Sequence, residues 1–191
     1  MAVETYAESF NKKIATGMLG TQLFVWDKTS KKLVYAVPIT DDGGGEYGGD
    51  TESFEAPEAD LARTPKIAGR QTLDDVTYIS NYTADRYKRW KEILHPTEPN
   101  TFVEVYEDLS AHIVMGSGQF TARQGDPRTI EATVIPEGMG WVEDITTISS
   151  AEYTEIASMF PGATSASEIA FDLTSIPANR VSPVRDDQQS V

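Results

Sequence analysis

The chain contains no cysteine, which excludes disulfides, thiolate nucleophiles and sulfur-ligated zinc. That fits a reducing compartment. Histidine is nearly missing as well. His95 and His112 stand far apart, with no HxxxH or HExxH spacing to bring two imidazoles to one helix face. No apolar run approaches the roughly 18 residues of a membrane-spanning helix. The opening MAVETYAESFNKK holds no apolar segment of secretory type. Together these predict a soluble product made in the cytoplasm, without membrane insertion. Positive charge is the minority: 16 Lys and Arg stand against 30 Asp and Glu, a net charge of −14. Ordinary nucleic-acid binding neutralises phosphates with Lys and Arg, so this balance speaks against it. The acidity serves solubility or makes a surface that repels phosphate.

Catalytic patterns are also missing. There is no GxSxG, and no serine pairs with a histidine. GGGEYGG lacks the GK[ST] ending of a phosphate-binding loop and carries acids where phosphate would sit. Asp74-Asp75 and Glu143-Asp144 are adjacent carboxylates, which on a strand point to opposite faces. The acidic-glycine segment fails the calcium-loop pattern, because glycines hold positions 43 to 45 where alternating oxygen ligands belong. Asn81-Tyr82-Thr83 matches a glycosylation sequon, but Thr83 already has a capping role. No enzyme, metal or cofactor is expected.

What is present reads as one domain of 191 residues, mainly β, with 14 glycines and 10 prolines in long loops or arms. Its centre is Arg70 to Leu94. Thr77, Tyr78 and Ile79 favour a strand. Thr83 is the natural N-cap of a helix over 84–94, with Asp85 in the first turn. Tyr87, Trp90 and Leu94 give it an apolar stripe, and Pro96 ends it. Arg86, Lys88, Arg89 and Lys91 hold the rest of the circumference, a basic face in an acidic chain.

Strands are expected over 22–29 and 32–38, a hairpin over 101–106 and 111–121, and further strands over 128–135 and 141–148. The turn Gly138-Met139-Gly140 is expected to separate the last two. A short helix is expected over 151–160. Residues 40–66 form a long connection, irregular throughout, with Asp41, Asp42, Glu46, Asp50 and Glu52 among glycines. Residues 1–20 read as an N-terminal arm, 21–174 as the β domain and 175–191 as a C-terminal arm or tail. A basic helix and an acidic loop are complementary. A head-to-tail contact between them on neighbouring copies closes rings or grows filaments.

The order of these elements resembles the major tail protein, or tail tube protein, of long non-contractile-tailed bacteriophages. The carrying stretches are Thr64-Pro65-Lys66-Ile67-Ala68-Gly69-Arg70, Leu73 to Thr83, the Tyr87…Trp90…Ile93-Leu94 helix, Arg128 to Val134, and Trp141 to Ile145. The resemblance covers about residues 20–150. It implies two packed antiparallel sheets, a sandwich or half-barrel, with a flanking helix, a long bridging loop and terminal arms. It implies self-assembly into hexameric rings that stack into the tail tube of a virion, the conduit through which DNA leaves without specific binding. The implied partners are further copies and other tail proteins such as tape measure, tail terminator and distal tail protein. An acidic lumen would let DNA slide, with Glu104, Glu131 and Glu143 as candidates to line it. The competing readings are a tail terminator or neck protein, and a carbohydrate-binding β-sandwich module.

Overall fold

The computed structural model describes residues 21–42, 51–55, 66–71, 73–106, 108–125 and 127–177; of 41–42, 51–55 and 66–71 the backbone alone is described. Nine strands result: β1 (Gln22–Asp27), β2 (Lys32–Tyr35), β3 (Asp41–Asp42), β4 (Thr51–Glu55), β5 (Lys66–Gln71), β6 (Val76–Asn81), β7 (Asn100–Val105), β8 (Ala111–Arg123) and β9 (Thr129–Val142). Helix α1 spans Ala84–Ile93 and α2 spans Ser150–Ile156. Seven strands form one antiparallel sheet in the order β2-β1-β7-β8-β9-β6-β3, and β4 with β5 makes a separate hairpin. The chain is thus mainly β, as expected. The two expected sheets are two halves of one.

The halves share the β8–β9 hairpin. β7 pairs only with the first part of β8, ending at Asn100 opposite Gly116. β6 pairs only with the first part of β9, from Thr129 to Val134. Between them the register shifts: Met115 faces Gly138, Gly116 faces Pro136, and Glu137 is the extra residue. Such a bulge bends its strand. The size of the bend follows from two rings. Phe102 lies opposite Val114, whereas Tyr78 lies opposite Ala132 and so beside Phe120. Val114 and Phe120 are about 20 Å apart along a straight strand, yet the rings of Tyr78 and Phe102 are 6.2 Å apart. The hairpin therefore folds the sheet over on itself. Two glycines allow it: a Cβ on Gly116 would run into the Ile135 carbonyl, and one on Gly118 into the Thr133 carbonyl.

Helix α1 closes the inside of this fold. The Thr83 hydroxyl accepts from the Arg86 N–H at 3.2 Å, capping the first turn. At the other end the Asn100 side chain donates to the Ile93 carbonyl at 2.9 Å, satisfying one of the orphan acceptors there. Trp90, Ile93 and Leu94 are buried against Leu23, Val25, Tyr78 and Phe102. The Trp90 indole donates to the Ser80 hydroxyl at 3.1 Å within the core. The stripe therefore differs from Tyr87, Trp90 and Leu94 by one residue. Tyr87 is 41% exposed and edges onto Phe120 at 5.2 Å, while Ile93 takes the core position. The 100° step per residue puts Tyr87 and Ile93 about 60° to either side of Trp90, so the helix alone does not choose between them, and the sheet beneath buries the Ile93 side.

A second apolar layer covers the other face of the β1–β7–β8 half. Phe24, Trp26, Ile113 and Val142 pack there against Ile156, Met159 and Phe160. A Cβ on Gly140 would stand 2.6 Å from Met159 and 2.7 Å from Ile156, so this glycine lets α2 sit flush on β9. Residues 169–175 then seal the outer edge of β2. Leu33 N–H donates to the Ala170 carbonyl and Asp172 N–H to the Leu33 carbonyl, both at 2.8 Å, and Tyr35 N–H donates to the Ser175 hydroxyl at 2.9 Å.

Three further expectations fail. β9 runs unbroken through Gly138-Met139-Gly140, because pairing with Ile113 to Met115 holds that stretch extended. Residues 143–148 are turns, not a strand. Nor is 40–66 irregular throughout, since β3 and β4 lie within it.

Candidate assembly surface

Beyond the bulge, β8, β9, β6 and β3 make a four-strand half with a polar outer face. The register places Thr121, Glu131 and Ile79 in one row, and Gln119, Thr133 and Thr77 in the next. Arg123, Thr129 and Asn81 form a third. None of these nine is fully buried, and none belongs to either apolar layer. The Thr77 and Thr133 hydroxyls meet at 3.4 Å. Arg123 grips Glu131 side-on: Nε lies 2.6 Å from Oε2, and Nη2 donates to Oε1 at 2.9 Å.

Both lateral edges of this half are open among the described residues. From 119 to 123, β8 has β9 on one side and no described strand on the other, since β7 stops opposite Gly116. The far side of β6 is met by β3 only at Asp41 opposite Ile79 and Asp42 opposite Tyr78, with a Thr40 N–H bond to the Ile79 carbonyl at 2.7 Å. Open strand edges are templates for another chain. The other half of the sheet offers no such edge at β2, which the 169–175 segment seals.

The basic face of α1 is partly committed within the subunit. Arg86 donates to the Asn81 carbonyl at 3.0 Å. Arg89 reaches the Tyr35 carbonyl at 3.4 Å and Glu92 at 3.5 Å. Lys88 and Lys91 are exposed and make no ion pair among the described residues. Of the acids expected to meet them, Asp41 and Asp42 sit in β3, and Glu52 in β4. Glu46 and Asp50 lie outside the described residues.

The three acids expected along a lumen separate. Glu104 is buried, 1% exposed, in register with the buried His112 on β8. It lines no open surface. Glu131 is on the polar face, but Arg123 neutralises it. Glu143 is exposed after β9, where its N–H donates to Glu152 at the start of α2. The same Glu152 accepts from the Ser149 N–H at 2.8 Å, completing a capping box, and also from the Ser149 hydroxyl. Those bonds, the Ser149 hydroxyl first, hold its carboxyl below the usual range. Sequence reasoning missed Arg123 altogether. Its signal was the alternation Gln119, Thr121, Arg123 against Thr129, Glu131, Thr133, which marks one polar face.

A cleft of about 340 Å³ lies between the β1–β2 hairpin and the end of α1, lined by Lys28, Arg89, Glu92, His95 and Glu98 among others. Its lining carries charges of both signs. Lys28 is already bonded to the Pro99 carbonyl at 3.0 Å and His95 to the Glu92 carbonyl at 3.1 Å. Among the described residues no three His, Asp or Glu side chains are grouped to hold a metal ion, and no helix is long and apolar enough to cross a membrane.

No family model and no curated protein matches the chain. Among solved structures, it is similar to a chain of the PVC sheath–tube complex of an extracellular contractile injection system in its extended state. The TM-score is 0.46 at 13% identity, over 73% of this chain and 99% of that one.

Proposed function

We propose that this protein is a non-enzymatic, self-assembling subunit whose rings stack into a tube, the tail tube of a bacteriophage of the long non-contractile type. It is made in the host cytoplasm, resides in the virion tail and forms the conduit for genome delivery. The observation that carries this reading is the β8–β9–β6–β3 half: two open lateral edges and a polar outer face. A sheet with one open edge dimerises. A sheet with two different open edges joins head to tail, and closure of that series into a ring removes every edge. The polar face then becomes the wall of a barrel, as alternation of inner and outer residues requires. Six copies per ring and the tape measure, terminator and distal tail proteins as partners are the finer content of the same proposal.

Two proline variants test it. Successive residues of a strand turn their N–H groups to opposite sides, so of Thr121→Pro and Ala122→Pro one removes a donor from the open edge and the other breaks the β9 ladder. The variant that keeps its melting transition is expected to stay monomeric where the wild type shows rings and tubes by electron microscopy. Wild-type protein that remains monomeric at every concentration and salt, and is absent from virion rings, overturns the reading. A single ring per particle, counted from stained gels of virions, assigns the chain to a terminator or neck position instead.

A further inference from the structure

Among the described side chains, the polar face does not present the expected acidic wall. In the three rows its described side chains are hydroxyls, amides and one isoleucine, with the exposed Ile135 opposite Ser117 in the next row, and the described charges are a single opposite pair, Arg123 and Glu131. Arg123 is 64% exposed at the end of β8, on a face that no apolar layer covers. An exposed guanidinium there would be a phosphate ligand, because its planar fork takes phosphate oxygens two at a time. Glu131 occupies that fork. It sits diagonally across from Arg123 on β9 and uses both carboxylate oxygens, at 2.6 and 2.9 Å.

We propose that Glu131 is a charge mask on Arg123, keeping the hydroxyl-lined face from binding the phosphate backbone of a nucleic acid that passes over it. This rests on the reading of that face as a conduit wall. The mask acts locally and does not depend on the net charge of the chain. A surface pair of this kind adds little to stability, so its geometry is free to serve surface chemistry. Repetition magnifies the effect. Every subunit of a ring contributes one pair, so loss of the carboxylate would create a ring of guanidiniums. Each phosphate neutralised adds about 0.9 to the slope of log K against log salt.

The test compares assembled wild-type, Glu131→Gln and Arg123→Gln/Glu131→Gln tubes for retention of a short fluorescent DNA duplex at low and moderate salt. Glu131→Gln is expected to retain at least about tenfold more duplex at low salt and to lose it as salt rises. Wild type and the double variant are expected to retain little. Should Glu131→Gln fail to assemble, Glu131→Thr keeps a β-favouring side chain and carries the same measurement. Retention equal to wild type, or equal retention by the double variant, overturns the mask. The absence of native cysteine makes a second arm simple. Thr121→Cys in assembled tubes is expected to react with a small maleimide and resist a large polymeric one. Ready reaction with both means that the face is not a conduit wall, and the mask falls with it. Protection from the large reagent without DNA retention by Glu131→Gln sinks the mask alone.

Discussion

Single residues carry the bend and the caps, and each invites a measurement. Gly118 lies where β8 and β9 approach too closely for a Cβ, and its N–H also donates to the His95 carbonyl at 2.8 Å. Gly118→Ala is expected to cost about 3 kcal/mol or more, the upper range for forcing an atom into packed structure, read by denaturant unfolding. Ser80 is 0% exposed and accepts the Trp90 indole N–H. Ser80→Ala leaves that donor buried without its acceptor, an expected loss of about 1–3 kcal/mol. Two carboxylates tie stability to pH. Asp27 is held below its ordinary 3.8 chiefly by the Ser30 hydroxyl, with the Thr29 N–H next. Glu152 is held below 4.5 chiefly by the Ser149 hydroxyl, with the Glu143 N–H next. A folded pKa below the unfolded one gives stability that is present above the unfolded value and lost as pH falls through the folded one. Melting temperature should therefore fall below about pH 4.5, and Asp27→Asn with Glu152→Gln should make that acid limb shallower.

At the scale of elements, α1 was legible because every signal for it is local: Thr83 to cap it, Asp85 in the first turn, Pro96 beyond the end. Its buried stripe was less so, since Tyr87 and Ile93 compete and the sheet beneath decides between them. β9 was illegible in the middle. Gly138 and Gly140 read as a turn, but Gly140 is there to admit α2, and only the packed structure says so. Glu104 misled for a similar reason. Strand alternation turns it away from Val103 and Val105, but the face it turns to is covered as well. The open edges of the assembly surface were invisible, because which strands lack a neighbour is a property of long-range pairing. The 169–175 segment carries a further prediction. Phe171 edges onto Phe24 at 4.8 Å and bridges Leu33. Phe171→Ala is expected to cost about 2 kcal/mol, less than the 3–5 of a fully buried phenylalanine. Amide exchange at Leu33 and Tyr35 should rise with it.

For the whole molecule, a charge of −14 means that copies repel before they join. Assembly should therefore grow more complete between low and physiological salt, as screening shortens the reach of that repulsion to about 8 Å. Lys88 and Lys91 refine the idea. Among the described residues they are exposed and make no ion pair, whereas Arg86 and Arg89 are bonded to carbonyls of their own subunit, so the two lysines are the cations of α1 most available to a neighbouring copy. Lys88→Glu with Lys91→Glu is expected to leave the melting transition within about 0.5 kcal/mol, as for exposed sites, and to raise the protein concentration needed for tubes in light scattering. Unchanged assembly would return that face to solvent. The shared β8–β9 hairpin has one more consequence, and it is mechanical. The same two strands belong to both halves of the sheet, joined along the whole of β8. A pull on the polar half along the strands must slide one ladder as a unit, so its hydrogen bonds bear the load together and do not open one at a time. A subunit built this way resists extension as a single piece. In the proposed tube the weak direction is then sideways, at the seams between copies, where fracture should begin.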